Sequence, residues 1–118
     1  MKPDSSTNQL NASRALDHLR AAVKYADRGR EVFFDSAVPD TFLLVEGELR
    51  KAYESLNRLG RSFYRANPKL DRDRIGEIRQ RLTHDYVDVD PGFIWKVATE
   101  EAPGVIHLLT RAKMPRSE

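Results

Sequence analysis

Apolar residues recur three or four positions apart through most of this chain, which is the 3.6-residue period of an amphipathic α-helix. Leu16, Leu19, Val23 and Ala26 form one stripe, ended by Gly29. Phe42, Val45, Leu49, Ala52, Leu56, Leu59 and Phe63 form a second, which predicts one long helix entered through residues 35–39. Asn67-Pro68 should stop it, because the proline ring disfavours helix at the residue before it. A third helix is predicted from Asp71, a favourable N-cap, with Ile75, Ile78 and Leu82 inward. The fourth starts at Asp90-Pro91, an N-cap followed by proline at the first helical position, and should bury Ile94, Val97, Ala98, Val105, Leu108 and Leu109. Pro103 lies inside that pattern and is expected to kink the helix, since it removes the hydrogen bond to the Thr99 carbonyl. A short extra turn is expected around residues 31–34. Residues 86–90 alternate like a strand, but a lone strand has nothing to pair with, so they read as an extended link. These features predict an all-α antiparallel bundle of four to five helices, one domain over residues 1–118 with mobile ends at about 1–10 and 113–118.

A chain of 118 residues buries roughly two-thirds of its unfolded surface on folding and needs no covalent staple. The sequence has no cysteine, which excludes disulfide scaffolds, thiolate metal sites and thiol catalysis, and fits a cytoplasmic location. The longest apolar run is residues 42–45, far short of the roughly 20 a membrane-spanning helix needs, and the polar start lacks the apolar run of a signal peptide. The six glycines are isolated, so no phosphate-cradling loop can be assembled. No metal or other cofactor is expected: His84-Asp85 are adjacent and no HExxH occurs. His18 and His107 read as surface or structural residues, Ser36, Ser55 and Ser62 lack a nucleophile elbow, and Phe42, Phe93 and Trp95 read as core.

The net charge of +2 conceals an asymmetry. Residues 50–81 carry ten Lys or Arg against four acids, a local +6, so the rest of the chain sums to -4. Arginine outnumbers lysine fourteen to six, which suits phosphate because guanidinium forks onto two oxygens. The stretch is a candidate polyanion footprint, with a solvated helix face as the alternative. Within it, positions 75, 78, 79, 82 and 86 share one stripe and hold Ile, Ile, Arg, Leu and Tyr. Arg79 thus falls on or beside a face that should be buried, and its guanidinium needs a carboxylate, a second subunit or a bound phosphate. His84 and Tyr86 follow, giving Arg79-x4-His84-x-Tyr86.

The stretch IRQRLTHDYVDVDPGFIW resembles the signature of the HEPN superfamily, specifically its HepT-like branch, the ribonuclease toxins paired with minimal nucleotidyltransferase antitoxins in type VII-like systems. Gly47-Glu48, Pro68, Val89-Asp90 before Ile94-Trp95, and Pro103 also fall where such proteins carry similar residues, over roughly residues 14–112. Gln80 stands where Asn commonly follows the arginine, and Arg72 where tryptophan is usual. The resemblance implies a metal-independent endoribonuclease acting on RNA, with Arg79 and His84 catalytic, Gln80 and Arg81 supporting or contacting RNA, and Tyr86 modified with AMP by the partner nucleotidyltransferase. It also implies a homodimer with paired motifs at a shared cleft. The chemistry agrees. Imidazole titrates near neutral pH and suits His84 as general acid or base, and Arg79 can hold the charge that develops on phosphate oxygens. Residues i and i+5 lie about 140° apart around a regular helix, so either the helix loosens near His84 or a second copy completes the site. A non-catalytic helical module that binds nucleotides or a nucleotidyltransferase is the alternative, for which Gln80 leaves room.

Overall fold

The computed structural model describes residues 5–84 and 90–115. Most of those residues are helical: α1 (Ser5–Ala26), the short α2 (Arg30–Phe33), α3 (Asp40–Asn57), α4 (Arg61–Ala66), α5 (Arg72–His84), α6 (Pro91–Lys96), a π-helical turn (Val97–Glu101) and α7 (Ala102–Thr110). The extra turn expected at residues 31–34 is α2. Residues 85–89, which include most of the predicted extended link and Tyr86, lie outside the described residues.

Side-chain contacts set the direction of packing. Along α1 and the turn that follows it, Arg28 donates to Thr41 (3.2 Å), His18 bonds Glu48 (2.7 Å) and Asn8 accepts from Gly60 (3.0 Å), so the partner number rises as the first number falls and α1 and α3 run antiparallel. The same logic applies on the other side of α3, where Arg50 meets Leu82 and Glu54 meets Arg79: α5 is antiparallel to α3. α7 closes the bundle against α1. Between these layers lie Leu19, Val45, Leu49, Tyr53, Leu56, Phe63, Ile78, Leu82 and Ile94, all buried. Phe93 is also buried, and Phe42 and Trp95 pack against the core, as their types suggest. The rod measures 52 × 26 × 20 Å.

The second apolar stripe does not form one helix. α3 ends at Asn57, Arg58 and Leu59 close a tight turn onto Ser55 and Leu56, and α4 starts after Gly60 in extended conformation. The break exists because a partner elsewhere in the chain receives the Gly60 N–H: the buried Asn8 carboxamide oxygen, at 3.0 Å. A buried N–H without such an acceptor costs about 1–3 kcal/mol. That contact ties the first turns of α1, residues 5–10, to the start of α4. At the other end, the Asn67 carboxamide exchanges two 2.8 Å hydrogen bonds with the Lys113 backbone, so the chain after α7 is clipped to the end of α4 at the point where the expected mobile tail was to begin.

The predicted caps form. Asp71 accepts the Arg74 N–H (3.1 Å) at the start of α5, and Asp90 accepts the Gly92 N–H (2.9 Å) with Pro91 opening α6. Pro103 perturbs the last helix as expected, but in a different form: the chain widens into a π turn at residues 97–101, and the Ala102 N–H bonds the Val97 carbonyl five residues back. Widening accommodates the missing donor and the ring of Pro103 without ending the helix. It also places Glu101 against Arg74, whose Nε and Nη2 lie 2.9 and 2.8 Å from Oε1.

Candidate active site

α5 is regular helix through His84, and its apolar stripe of Ile75, Ile78 and Leu82 is buried against the core. Arg79 emerges beside that stripe, as the spacing predicts. It is not buried without a partner: its Nε donates to Glu54 Oε2 at 3.1 Å and its Nη2 to Oε1 at 3.5 Å, in a pair whose side chains keep 35% and 39% of their surface exposed. Of the three partners that Arg79 could require, the fold within one chain supplies the carboxylate. Ion pairs this exposed are worth only about 0–1 kcal/mol, so parting Arg79 from Glu54 costs little.

The pair opens onto a groove of about 290 Å³ between α3 and α5, lined by Arg50, Lys51, Tyr53, Glu54, Arg79, Leu82 and Thr83. Tyr53 is fully buried there, and its hydroxyl has no hydrogen-bond partner among the described residues. Burial, reinforced by the Glu101 charge and opposed by Arg74, pushes the Tyr53 pKa well above the usual phenol value, so the group stays a neutral donor. Tyr64, buried near the end of α4, is likewise pushed up to about 12 by desolvation, and it donates to the Leu56 carbonyl at 2.7 Å.

Arg50 governs the far end of the groove. Its Nε donates to Glu46 at 2.9 Å and its Nη1 donates to the Leu82 carbonyl. Leu82 lies in the last turn of α5, where carbonyls have no partner within the helix and a cation offsets the helix dipole. Arg50 therefore fixes the helix end from which His84 projects. If His84 has the catalytic role that the resemblance implies, Arg50→Met should leave the fold intact, lower kcat about tenfold with KM little changed, and be partly rescued by lysine, since loss of positioning rather than of binding slows the reaction. Equal loss in KM would instead make Arg50 a substrate contact.

His84 is exposed at the end of α5 and has no hydrogen-bond partner among the described residues. Gln80 is exposed on the same helix. Arg81 stacks on Phe93, its guanidinium carbon 3.6 Å from the ring centroid, a contact that ties α5 to α6. Tyr86 falls outside the described residues, and so does the geometry of its oxygen. Elsewhere, His18 is a structural residue, the second of its two readings, and bonds Glu48 between α1 and α3. His107 is exposed in α7. Arg72, at the position where tryptophan is usual, lies over the Tyr64 ring at 5.5 Å and packs there as an aromatic neighbour would.

Sequence reasoning missed two members of the site. Glu54 was visible only as one of four acids in a basic stretch, although it shares a face of α3 with Gly47 and Arg50 at spacings of seven and four. Arg50 carried no signal, because its role depends on a carbonyl 32 residues away. Among the described residues, no three His, Asp or Glu side chains come together to hold a metal ion, and no helix is long and apolar enough to cross a membrane.

No curated protein and no solved structure matches this sequence. A family model does: residues 15–112 match the family described as Ribonuclease HepT-like. That span runs from the middle of α1 to the residues that follow α7 and contains the whole Arg79–Glu54 groove, so the chain belongs to the HepT-like ribonuclease family.

Proposed function

We propose that this chain is the toxin of a two-component toxin–antitoxin system and that it cuts RNA without a metal ion, using Arg79 and His84 contributed across a homodimer. One observation carries the reading. In a chain of a ribonuclease family, a guanidinium held by an easily displaced carboxylate faces an open groove, five residues before a solvent-exposed imidazole on the same regular helix.

The chemistry uses this chain's own groups. A substrate phosphate enters the groove, takes Arg79 from Glu54, and sits with two oxygens on the guanidinium. The ribose 2′-oxygen attacks the adjacent phosphorus, the bond from phosphorus to the 5′-oxygen breaks, and the products are a 2′,3′-cyclic phosphate and a 5′-hydroxyl. His84 takes the 2′-hydroxyl proton or gives one to the leaving oxygen, and Arg79 holds the charge on the phosphorane oxygens. A second His84 at the cleft would divide those two proton transfers. The unbroken helix favours the dimer, because it leaves Arg79 and His84 about 140° apart around the axis of one chain.

We assign silencing to a partner minimal nucleotidyltransferase that transfers AMP to Tyr86. The phenol oxygen bonds the α-phosphorus of ATP, pyrophosphate leaves, and the phenol proton goes to a base. Purified protein should cut single-stranded RNA in excess EDTA and leave 2′,3′-cyclic ends. Activity that vanishes with EDTA and returns with a divalent cation would overturn the metal-independent mechanism, and RNA binding with no turnover would favour the non-catalytic module.

A further inference from the structure

The basic side chains of residues 50–81 have different fates in the fold. Several are already engaged: Arg50 by Glu46 and Arg79 by Glu54 in the groove lining, and Arg74 by Glu101 and Glu77, while Arg81 lies over Phe93. At the opposite end of α5 the pattern changes. Arg58, Arg61, Arg65, Lys69 and Arg72 are exposed, and none has a carboxylate within ion-pair distance among the described residues. Arg61 and Arg65 are one turn apart on α4, and Arg72 is drawn to the same helix by the Tyr64 ring. Tertiary structure adds to this end of the molecule. The two hydrogen bonds from Asn67 to the Lys113 backbone bring Lys113, also exposed, against the end of α4, with Arg111 two residues before it. Asp71 and Asp73 are the acids nearby in sequence, and the Asp71 carboxylate is engaged in capping α5.

We infer that this α4 end is a phosphate track for single-stranded RNA, separate from the groove that holds the scissile phosphate. The inference rests on the reading of the chain as an RNA-cutting enzyme and names where the rest of the strand runs. Seven residues separate Arg72 from Arg79, about 10 Å of helix rise, so a strand with one phosphate in the groove reaches the track within a few nucleotides. Repeated phosphates suit a row of unneutralised arginines contributed by several elements, whereas the centre of a protein interface is depleted of charge. The polyanion footprint seen in the sequence thus divides in two: the half nearest Arg79 is spent on internal pairs, and the half that faces solvent continues into the C-terminal segment.

The test uses the full chain. In an Arg79→Ala, His84→Ala background that cannot cut, binding of a long single-stranded RNA is measured by fluorescence anisotropy across salt concentrations, with and without Arg61→Ala and Arg65→Ala. Losing two phosphate contacts should weaken binding about tenfold and flatten the dependence of log K on log salt by about 1.4, at 0.7 per contact for single strands. With Arg79 and His84 intact, cleavage of a dinucleoside monophosphate, too short to reach the track, should be unchanged by the same two substitutions. Equal affinity and equal salt slope would overturn the track, as would a loss confined to binding of the nucleotidyltransferase. A wild-type protein that fails to cut RNA, while the slope still flattens, would remove the catalytic reading and leave the track standing. Both side chains are exposed, so an unchanged melting curve serves as the control for folding.

Discussion

Homodimers bearing Arg79→Ala in both chains, or His84→Ala in both, are expected to cut RNA more slowly by about two to four orders of magnitude, the usual worth of a general acid–base group or of a charge-stabilising donor. Mixing the two inactive proteins should then restore activity. If the arginine of one chain works with the histidine of the other, each mixed dimer holds one intact pair. Random exchange makes half of the dimers mixed, with one of two sites complete, so recovery should approach about a quarter of the parent rate. The physical basis is the regularity of α5: Arg79 is turned toward Glu54 and α3, while His84, five residues on, projects from another side of the helix and is exposed. One chain in that conformation offers a scissile phosphate the guanidinium without the imidazole. No recovery in the mixture, with dimers verified by light scattering, would place both groups in one chain and require α5 to unwind near its end. Glu54 sharpens the test. Glu54→Gln releases Arg79 from its carboxylate without changing shape, and should keep the enzyme active.

Protein co-expressed with its nucleotidyltransferase is expected to carry AMP on the peptide that contains Tyr86, and that form is expected not to cut RNA. Tyr86 is seven residues from Arg79, within about 20° of the same helical face if the helical path continued, and two residues beyond His84, the last residue of α5. On that path, an adenylyl group on its oxygen would bring a phosphodiester anion within reach of Arg79, the proposed substrate contact. The site then competes with RNA for its own cation. Glu54 already shows that Arg79 accepts an anion from within the chain, and a covalently tethered phosphodiester would compete with RNA at a high effective concentration. Tyr86→Phe keeps the ring and removes the acceptor oxygen, so it should remain a nuclease and escape silencing. An inactive complex whose Tyr86 peptide is unmodified, or a phenylalanine variant silenced as well as its parent, would defeat the idea and assign inhibition to a partner that covers the groove.

The helical period was enough to specify an all-α bundle, because a 3.6-residue repeat of apolar side chains can be buried in no other regular structure. Local chemistry was equally legible: Asp71 and Asp90 cap the helices they were expected to cap, and Pro103 perturbs the helix it interrupts. Arg79 on a buried stripe announced that it needed a partner, since an unpaired guanidinium at a core boundary is costly. What the sequence could not supply was anything held by a contact between residues far apart in the chain. The stripe through Phe63 reads as one helix, and it divides at Gly60 because Asn8, 52 residues earlier, receives the buried Gly60 N–H. Glu54 and Arg50 become part of the site because antiparallel packing of α3 against α5 aligns positions 25 and 32 residues apart. The Lys113 segment joins the basic end through Asn67, 46 residues away. Periodicity and capping are properties of a short window, so the sequence by itself determined the helices. The pairing of cation with carboxylate is a property of how those helices meet, and the tertiary structure alone decided which arginines are spent on internal bonds and which remain exposed without a carboxylate among the described residues.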